Sequence, residues 1–214
     1  MRELARKIAK TLLKIGAVGF KPKNPITFKS GLISPVYVDN RIFPFYPKEW
    51  RLVIRGMKNL IKEKKLLLDV VAGVEAAGIP HSATLGYELN KPSVFVRKKT
   101  KNHGTKKMVE GGNVKRKKVL LIEDLVTTGS SSLAGVKSLR EAGAQVKDCL
   151  VIISYGFKEA EKAFEVAKVK LHSLTDFHIV LDEAGKLGKF NKSERKILDD
   201  WLSQPWGWAK KYGF

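Results

Sequence analysis

The stretch VLLIEDLVTTGSSS, residues 119–132, decides the fold. Val119 to Ile122 form a continuous apolar run that reads as a strand entering a core. Glu123 and Asp124 then arrive side by side, and after Leu125 and Val126 come Thr127, Thr128, Gly129 and three serines. A helical pattern follows from about Ser130 to Ala142. Backbone N–H groups at a helix start, with a glycine permitting close approach, form a ready anion site. Hydroxyls of Thr128, Ser130 and Ser131 complete a phosphate cradle. The two acids fit the same ligand if it is a sugar phosphate, since carboxylates accept hydrogen bonds from adjacent ribose hydroxyls, directly or around Mg²⁺. The plainer alternative is a helix capped by Ser or Thr beside two solvated acids. An apolar strand, an acidic pair and a Thr-Thr-Gly-Ser turn together favour the ligand.

Working outward, the same alternation recurs. Leu4, Ile8, Leu12 and Ile15 lie at helical spacing and predict a first helix with one buried stripe. Residues 20–46, rich in Pro, Gly and aromatics, predict short strands and turns. Pro47 opens a helix to about Lys64, with Leu52, Met57, Leu60 and Ile61 on its apolar face. LLLDVVAG (66–73) is expected as a buried strand, followed by a helix over about 76–89. Strands are expected at 92–98, 119–124, 145–155 and 169–172, with a helix near 157–167 and helices over much of 174–203. Asn191 and Glu194 form a capping-box pair. Strand and helix in alternation, with continuous apolar strands, mean a parallel sheet covered on both faces. Ligands of such sheets bind at the carboxyl ends of the strands, where the acids lie.

The chain of 214 residues suits one α/β domain with a sizeable core. No apolar run reaches the ~20 residues that span a bilayer, and no membrane association is expected. The basic amino-terminal segment is interrupted by Glu3 and recurring lysines, which argues against a signal-peptide core. The single cysteine, Cys149, sits in the apolar run CLVII and reads as a core residue, which suits the cytoplasm. Forty-one basic residues against 21 acidic give a net charge of +20. Such a balance makes nucleic acid a candidate partner, with incidental binding expected at low salt.

Ten of the basic residues lie between Arg97 and Lys118, with one acid, Glu110. Glycines 104, 111 and 112 interrupt regular structure there, so a mobile loop is expected between two strands. Such a loop is either a lid that closes over a polyanion or a solvated connector. His103, among lysines, favours the first.

VLLIEDLVTTGSS resembles the 5-phosphoribosyl 1-pyrophosphate (PRPP) signature of the type I phosphoribosyltransferases. FKSGLISPVYVDNR (28–41), GVEAAGIPHSA (73–83), VRKKTKNHG (96–104), SLTDF (173–177) and DDWLSQPWGW (199–208) are similar to segments of the orotate phosphoribosyltransferases. The resemblance covers nearly the full length. It implies a single phosphoribosyltransferase domain over 1–214, with a core sheet within 66–172. About 1–46 and parts of the carboxyl-terminal region form a hood and helical additions. It implies Mg²⁺-dependent transfer of phosphoribose from PRPP to orotate, in pyrimidine biosynthesis. PRPP is then held by Glu123, Asp124, Leu125, Val126, Thr127, Thr128, Gly129, Ser130 and Ser131. Lys101 and His103, helped by Arg97 and Lys98, serve the departing pyrophosphate as catalytic residues. Thr127, Lys29 and Arg41 are the orotate candidates, and Mg²⁺ is carried mainly by PRPP near Glu123 and Asp124. The family's loop closes over the neighbouring subunit's site, implying a homodimer.

Two departures stand out. Some family members follow the fifth strand with an Asp-Arg pair whose Arg holds the orotate carboxylate; here the stretch is ISYGF (153–157). Some carry a Lys in the early phosphate loop where Ala77 stands. Another branch lacks both. The rival readings are a phosphoribosyltransferase for another base and a PRPP-sensing regulator that binds nucleic acid. Lys101 and His103 weigh against a pure sensor.

Overall fold

The computed structural model describes residues 2–28, 30–98 and 107–214. The backbone falls into two compact units, Met1–Ile42 with Thr175–Phe214, and Phe43–Leu174. The first unit opens with α1 (Arg2–Lys14), whose Ile8 and Leu12 are fully buried, as the apolar stripe predicts. Short strands β1 (Val18–Phe20), β2 (Ile26–Thr27), β3 (Ile33–Ser34) and β4 (Val36–Val38) follow. They pair antiparallel as β1 with β4 and β2 with β3.

The second unit begins with α2 (Pro47–Glu63), started by its proline. Val53, Ile54, Met57, Leu60 and Ile61 form its buried face, while Leu52, expected there, is only half-buried. Then come β5 (Val70–Val74), α3 (Gly78–Leu89), β6 (Ser93–Val96), β7 (Val109–Glu110), β8 (Lys118–Val126), α4 (Ser130–Glu141), β9 (Gln145–Ser154), α5 (Lys158–Val166) and β10 (Lys170–Asp176). The sheet order is β10-β9-β8-β5-β6-β7. β6, β5, β8 and β9 run parallel, as expected, and β7 pairs antiparallel with β6 at the edge. Ala72, Leu121 and Val151 are fully buried in its centre, and Cys149 is too. Burial pushes the Cys149 thiol far above its ordinary range, so it stays protonated and inert.

Three boundaries differ from the sequence reading. Leu66–Leu68 do not join β5, because the chain is still closing α2: Leu66 N–H donates to Ile61 O at 2.9 Å, and Lys65 is left-handed with φ of 52°. Asp69 then brackets Lys118, donating its N–H to Lys118 O and accepting from Lys118 N–H, each at 2.8 Å. The two-residue β7 was hidden inside the basic segment. β10 runs on to Asp176, whose carboxylate caps the next helix by accepting from Ile179 N–H at 2.9 Å.

The first unit resumes with α6 (Phe177–Lys186), α7 (Lys192–Ser203) and α8 (Pro205–Tyr212). The expected capping box of Asn191 and Glu194 starts α7. The helix α8 was not anticipated; Pro205 starts it, and Trp208 buries itself by donating to Ile197 O at 3.0 Å. Trp201 donates to Ile33 O at 2.9 Å, tying α7 to β3. Among the described residues no helix is long and apolar enough to cross a membrane.

Helix α1 packs against α6, and here Glu183 is almost sealed from solvent, with 3% of its side chain exposed. Lys186 lies 2.6 Å away, Lys10 3.6 Å and Arg6 3.8 Å. The hydrogen bond from Lys186, aided by the charges of Lys10 and Arg6, holds this carboxyl below its usual range. A depressed folded-state pKa contributes stability above the unfolded value and loses it as pH falls through the folded one. Glu183→Gln is therefore expected to lower Tm at pH 7, with the deficit against the parent protein shrinking towards pH 3. A deficit constant over that range would mean that packing, not charge, matters.

Candidate active site

The chain leaving β5 crosses to β6 on one side, and the chain leaving β8 crosses to β9 on the other. Their diverging connections open a crevice at the carboxyl ends of β5 and β8, the topological switch point of the sheet. Gly73 pairs in register with Ile122, so the loop after β5 lies beside the acids of β8. Two glycines make that approach possible. A Cβ on Gly73 would meet Gly78 O at 2.6 Å, and one on Gly78 would meet Ile122 O at 2.6 Å. No side chain fits between these backbones.

Glu123 is buried and Asp124 half-buried. Burial first, and then the neighbouring Asp124 charge, push the Glu123 carboxyl up to about 8. Burial pushes Asp124 up as well. At Glu123 the Lys98 charge and the Ser131 hydroxyl, which donates at 3.1 Å, oppose this; at Asp124 a hydrogen bond from Glu123, the backbone N–H groups of Asp124 and Leu125, and the Lys98 charge do so. Such a pair gains from any ligand that brings a cation or adjacent hydroxyl donors.

The turn after β8 is built for an anion. Gly129 has φ of +83°, and a Cβ there would sit 2.8 Å from the Phe164 ring, so both conformation and space demand glycine. No side chain caps the first turn of α4, which leaves its N–H groups and dipole directed at the crevice. Thr128 and Ser130 hydroxyls lie 3.1 Å apart, and Thr127 is half-buried beside them. Val126 is buried and Leu125 half-buried, and Val126 O accepts from Tyr155 N–H at 3.0 Å. The polar surface of the turn thus comes from 127–131.

Arg97 and Lys98 end the β6 side of the crevice. The Arg97 guanidinium pairs with Glu110 of β7 at 3.2 Å, while Lys98 is exposed and donates its N–H to Glu75 at 3.0 Å. Lys101, His103 and the expected mobile lid lie outside the described residues, as does Lys29. Arg41 belongs to the first unit, where Asp39 takes its Nε at 2.6 Å and its Nη2 at 2.8 Å. Sequence reasoning missed Glu75, which anchors the loop after β6, and Tyr155, a buried phenol whose pKa is raised by burial and then by the Asp124 charge. A lone acid just past a buried strand was the available signal for Glu75; nothing local marked Tyr155.

Comparison with known proteins shows the family. The family described as "Phosphoribosyl transferase domain" matches residues 46–184. An orotate phosphoribosyltransferase of Staphylococcus saprophyticus is 39% identical over 92% of this chain and 98% of its own length. The chain belongs to the orotate phosphoribosyltransferase family. The same name is carried by a Coxiella burnetii relative, 37% identical over 95% of this chain and 98% of its own. Among solved structures, the family member from Aeropyrum pernix superposes with a TM-score of 0.74 at 30% identity, covering 84% of this chain and 98% of that one. A Leishmania donovani UMP synthase gives 0.80 at 26% identity over 94% of this chain; this chain spans 42% of its length. The fold expected of the family, a mainly parallel sheet between helices, is the fold observed.

The raised Glu123 pKa has a measurable consequence. A folded-state pKa above the unfolded value means that the folded protein loses stability as pH rises from about 4.5 to about 8. Gln cannot ionise and escapes that loss. Glu123→Gln in the ligand-free protein is expected to raise Tm by roughly 3 °C or more at pH 8.5, with little gain at pH 4.5. Equal melts at pH 8.5 would show that the carboxyl is not held in a desolvated, like-charged site.

Proposed function

We propose that this member of the family is an orotate phosphoribosyltransferase, transferring the 5-phosphoribosyl group of PRPP to orotate and releasing pyrophosphate. The acid pair of β8 beside an uncapped, glycine-started helix carries this reading, because one ligand with two ribose hydroxyls and a phosphate satisfies both. The names of relatives that match nearly end to end support orotate as the base. In chemical terms, the first turn of α4 and the hydroxyls of 127–131 hold the 5′-phosphate. Glu123 and Asp124 accept from the ribose hydroxyls and fix the ring. A nucleophilic nitrogen of orotate attacks C1 as the C1–O bond to pyrophosphate breaks. Charge grows on the departing group, so cations aimed there stabilise the transition state more than the ground state. Lys98 is such a cation, and family resemblance adds Arg97, Lys101 and His103. Thr127, Lys29 and Arg41 are proposed on the same basis to face the base.

Mg²⁺ fits the donor set as a substrate-borne ion. Among the described residues no group of three His, Cys, Asp or Glu is placed to hold a metal. Magnesium characteristically uses one or two carboxylates and fills its sphere with substrate oxygens and water. Glu123 and Asp124 are the carboxylates it would meet; when bound, it neutralises charge on the pyrophosphate.

The family's shared loop motivates a homodimer. A cytoplasmic location and weak, salt-sensitive nucleic-acid binding complete the reading; the latter follows from the +20 charge.

Incubation with PRPP and Mg²⁺ should consume orotate and leave uracil and hypoxanthine untouched; turnover of another base alone would refute the assignment. The shared loop has its own test. Asp124→Asn and Lys101→Ala damage different parts of each site, so either homodimer should be nearly inactive. After co-refolding, about half the dimers are mixed and each holds one intact site, so about a quarter of wild-type activity should return. No recovery after verified exchange would place Lys101 in its own subunit's site.

A further inference from the structure

The amino-terminal edge of the sheet, opposite the catalytic crevice, carries a cavity of about 360 Å³ within the second unit. That volume is of the order that small-ligand sites occupy. The first residues of two strands, Lys118 of β8 and Lys170 of β10, line it together with Lys147 of β9. Lys64 and Lys65, at the end of α2, complete the ring. Among the described residues none of these five ammonium groups has a carboxylate partner. The one acid in the lining is engaged by another lining residue: Asp148 lies 2.8 Å from Nε2 of the buried His172. Nearby Asp69 is occupied by Lys118 N–H.

A second observation concerns the backbone. Among the described residues four non-glycines have positive φ, and three are basic: Lys65 at 52°, Arg116 at 61° and Lys168 at 53°. Lys65 and Lys168 end helices and Arg116 lies in a turn, and each leads into a strand at this same edge, in a conformation that favours glycine. Cationic side chains stand at this edge despite that conformational preference. With Lys115, Lys117 and Lys118 they concentrate the positive field here. The pocket also has an apolar part, since Leu67 is 71% exposed at its rim.

We propose that this cavity is a binding site for a condensed phosphate chain of two or more phosphates, free or carried by a nucleotide. A row of lysines on adjacent strands places point charges at intervals along such a chain, and the one acid in the lining, Asp148, pairs with His172 rather than with any of them. Single-stranded nucleic acid is the less suited occupant, because such sites stack bases on aromatic rings and this cavity has no Phe, Tyr or Trp in its lining. The inference is independent of the catalytic assignment.

The test is calorimetry of the full-length protein with tripolyphosphate and with ATP at about 0.1 M salt. The comparison is Lys118→Ser/Lys147→Ser/Lys170→Ser, checked for folding by circular dichroism. Lys170→Ser alone serves if the triple variant unfolds. The triple variant should bind at least about tenfold more weakly, while its PRPP KM stays within about twofold. If ATP binds more tightly than tripolyphosphate and Leu67→Ser removes the difference, the chain arrives on a nucleotide; equal affinities identify the chain alone. The proposal is overturned if the lysine substitutions leave affinity unchanged, or if ATP and tripolyphosphate compete with PRPP for one site. It also fails if neither binds, or if only RNA binding responds to the substitutions.

Discussion

The interaction on which the rest depends is a repulsion. Glu123 and Asp124 sit near the end of β8, where burial resists ionisation of both and the Asp124 charge adds to that resistance at Glu123. A folded protein holds such a pair only if its surroundings fix it in place. The parallel ladders of β8 with β5 and β9 do this, because they anchor the strand on both sides. Lys98 and the Ser131 hydroxyl offset part of the strain without removing it. What remains is an affinity for donors and cations, the property on which the proposed sugar-phosphate role rests. The chain sacrifices stability at this point for binding.

The glycines serve the same end by a different route. At Gly73 and Gly78 two backbones approach too closely for any Cβ, and at Gly129 the turn needs a positive φ against the Phe164 ring. Each removes side-chain volume where backbone or ring packs too closely for a Cβ. Replacing Gly129 by alanine would therefore combine a strained backbone with a 2.8 Å contact, a conflict only movement of Phe164 or of the turn could relieve. Phe164 is itself packed in the core beneath, so the turn is the part that would give.

Much of this was legible in the sequence because it is local. Four apolar residues, two acids and a Thr-Thr-Gly-Ser turn specify a strand end and a helix start over 14 residues. The capping box at Asn191 and the proline start of α2 are equally local. What escaped was set by distant partners. The strand β5 starts only after Asp69, whose N–H and carboxylate bracket Lys118, 49 residues away. Tyr155 matters only because β9 lies beside β8 and carries it to Asp124. Helix α8 holds through Trp208, a residue that reads equally well as an exposed aromatic in a Pro-Gly-rich tail. One local pairing also escaped: Asp39, two residues before the orotate candidate Arg41, engages its guanidinium on two nitrogens.

The charge distribution also acquires a physical order. In the sheet unit the carboxyl end of β8 presents two acids, while its first residue, Lys118, belongs to a lysine-rich edge. Lys118 and Glu123 stand five residues of strand apart, at about 3.3 Å each. A desolvated carboxylate pair is best served by positive charge close by but not in contact, since a lysine bonded to either acid would occupy the ligand's place. Lys98 meets that condition: its charge is felt by both acids, while its backbone is pinned to Glu75 instead. The cations of the far edge lie beyond the roughly 8–10 Å over which salt leaves such charges effective. They do little for the acids, so their accumulation needs a cause of its own at that edge.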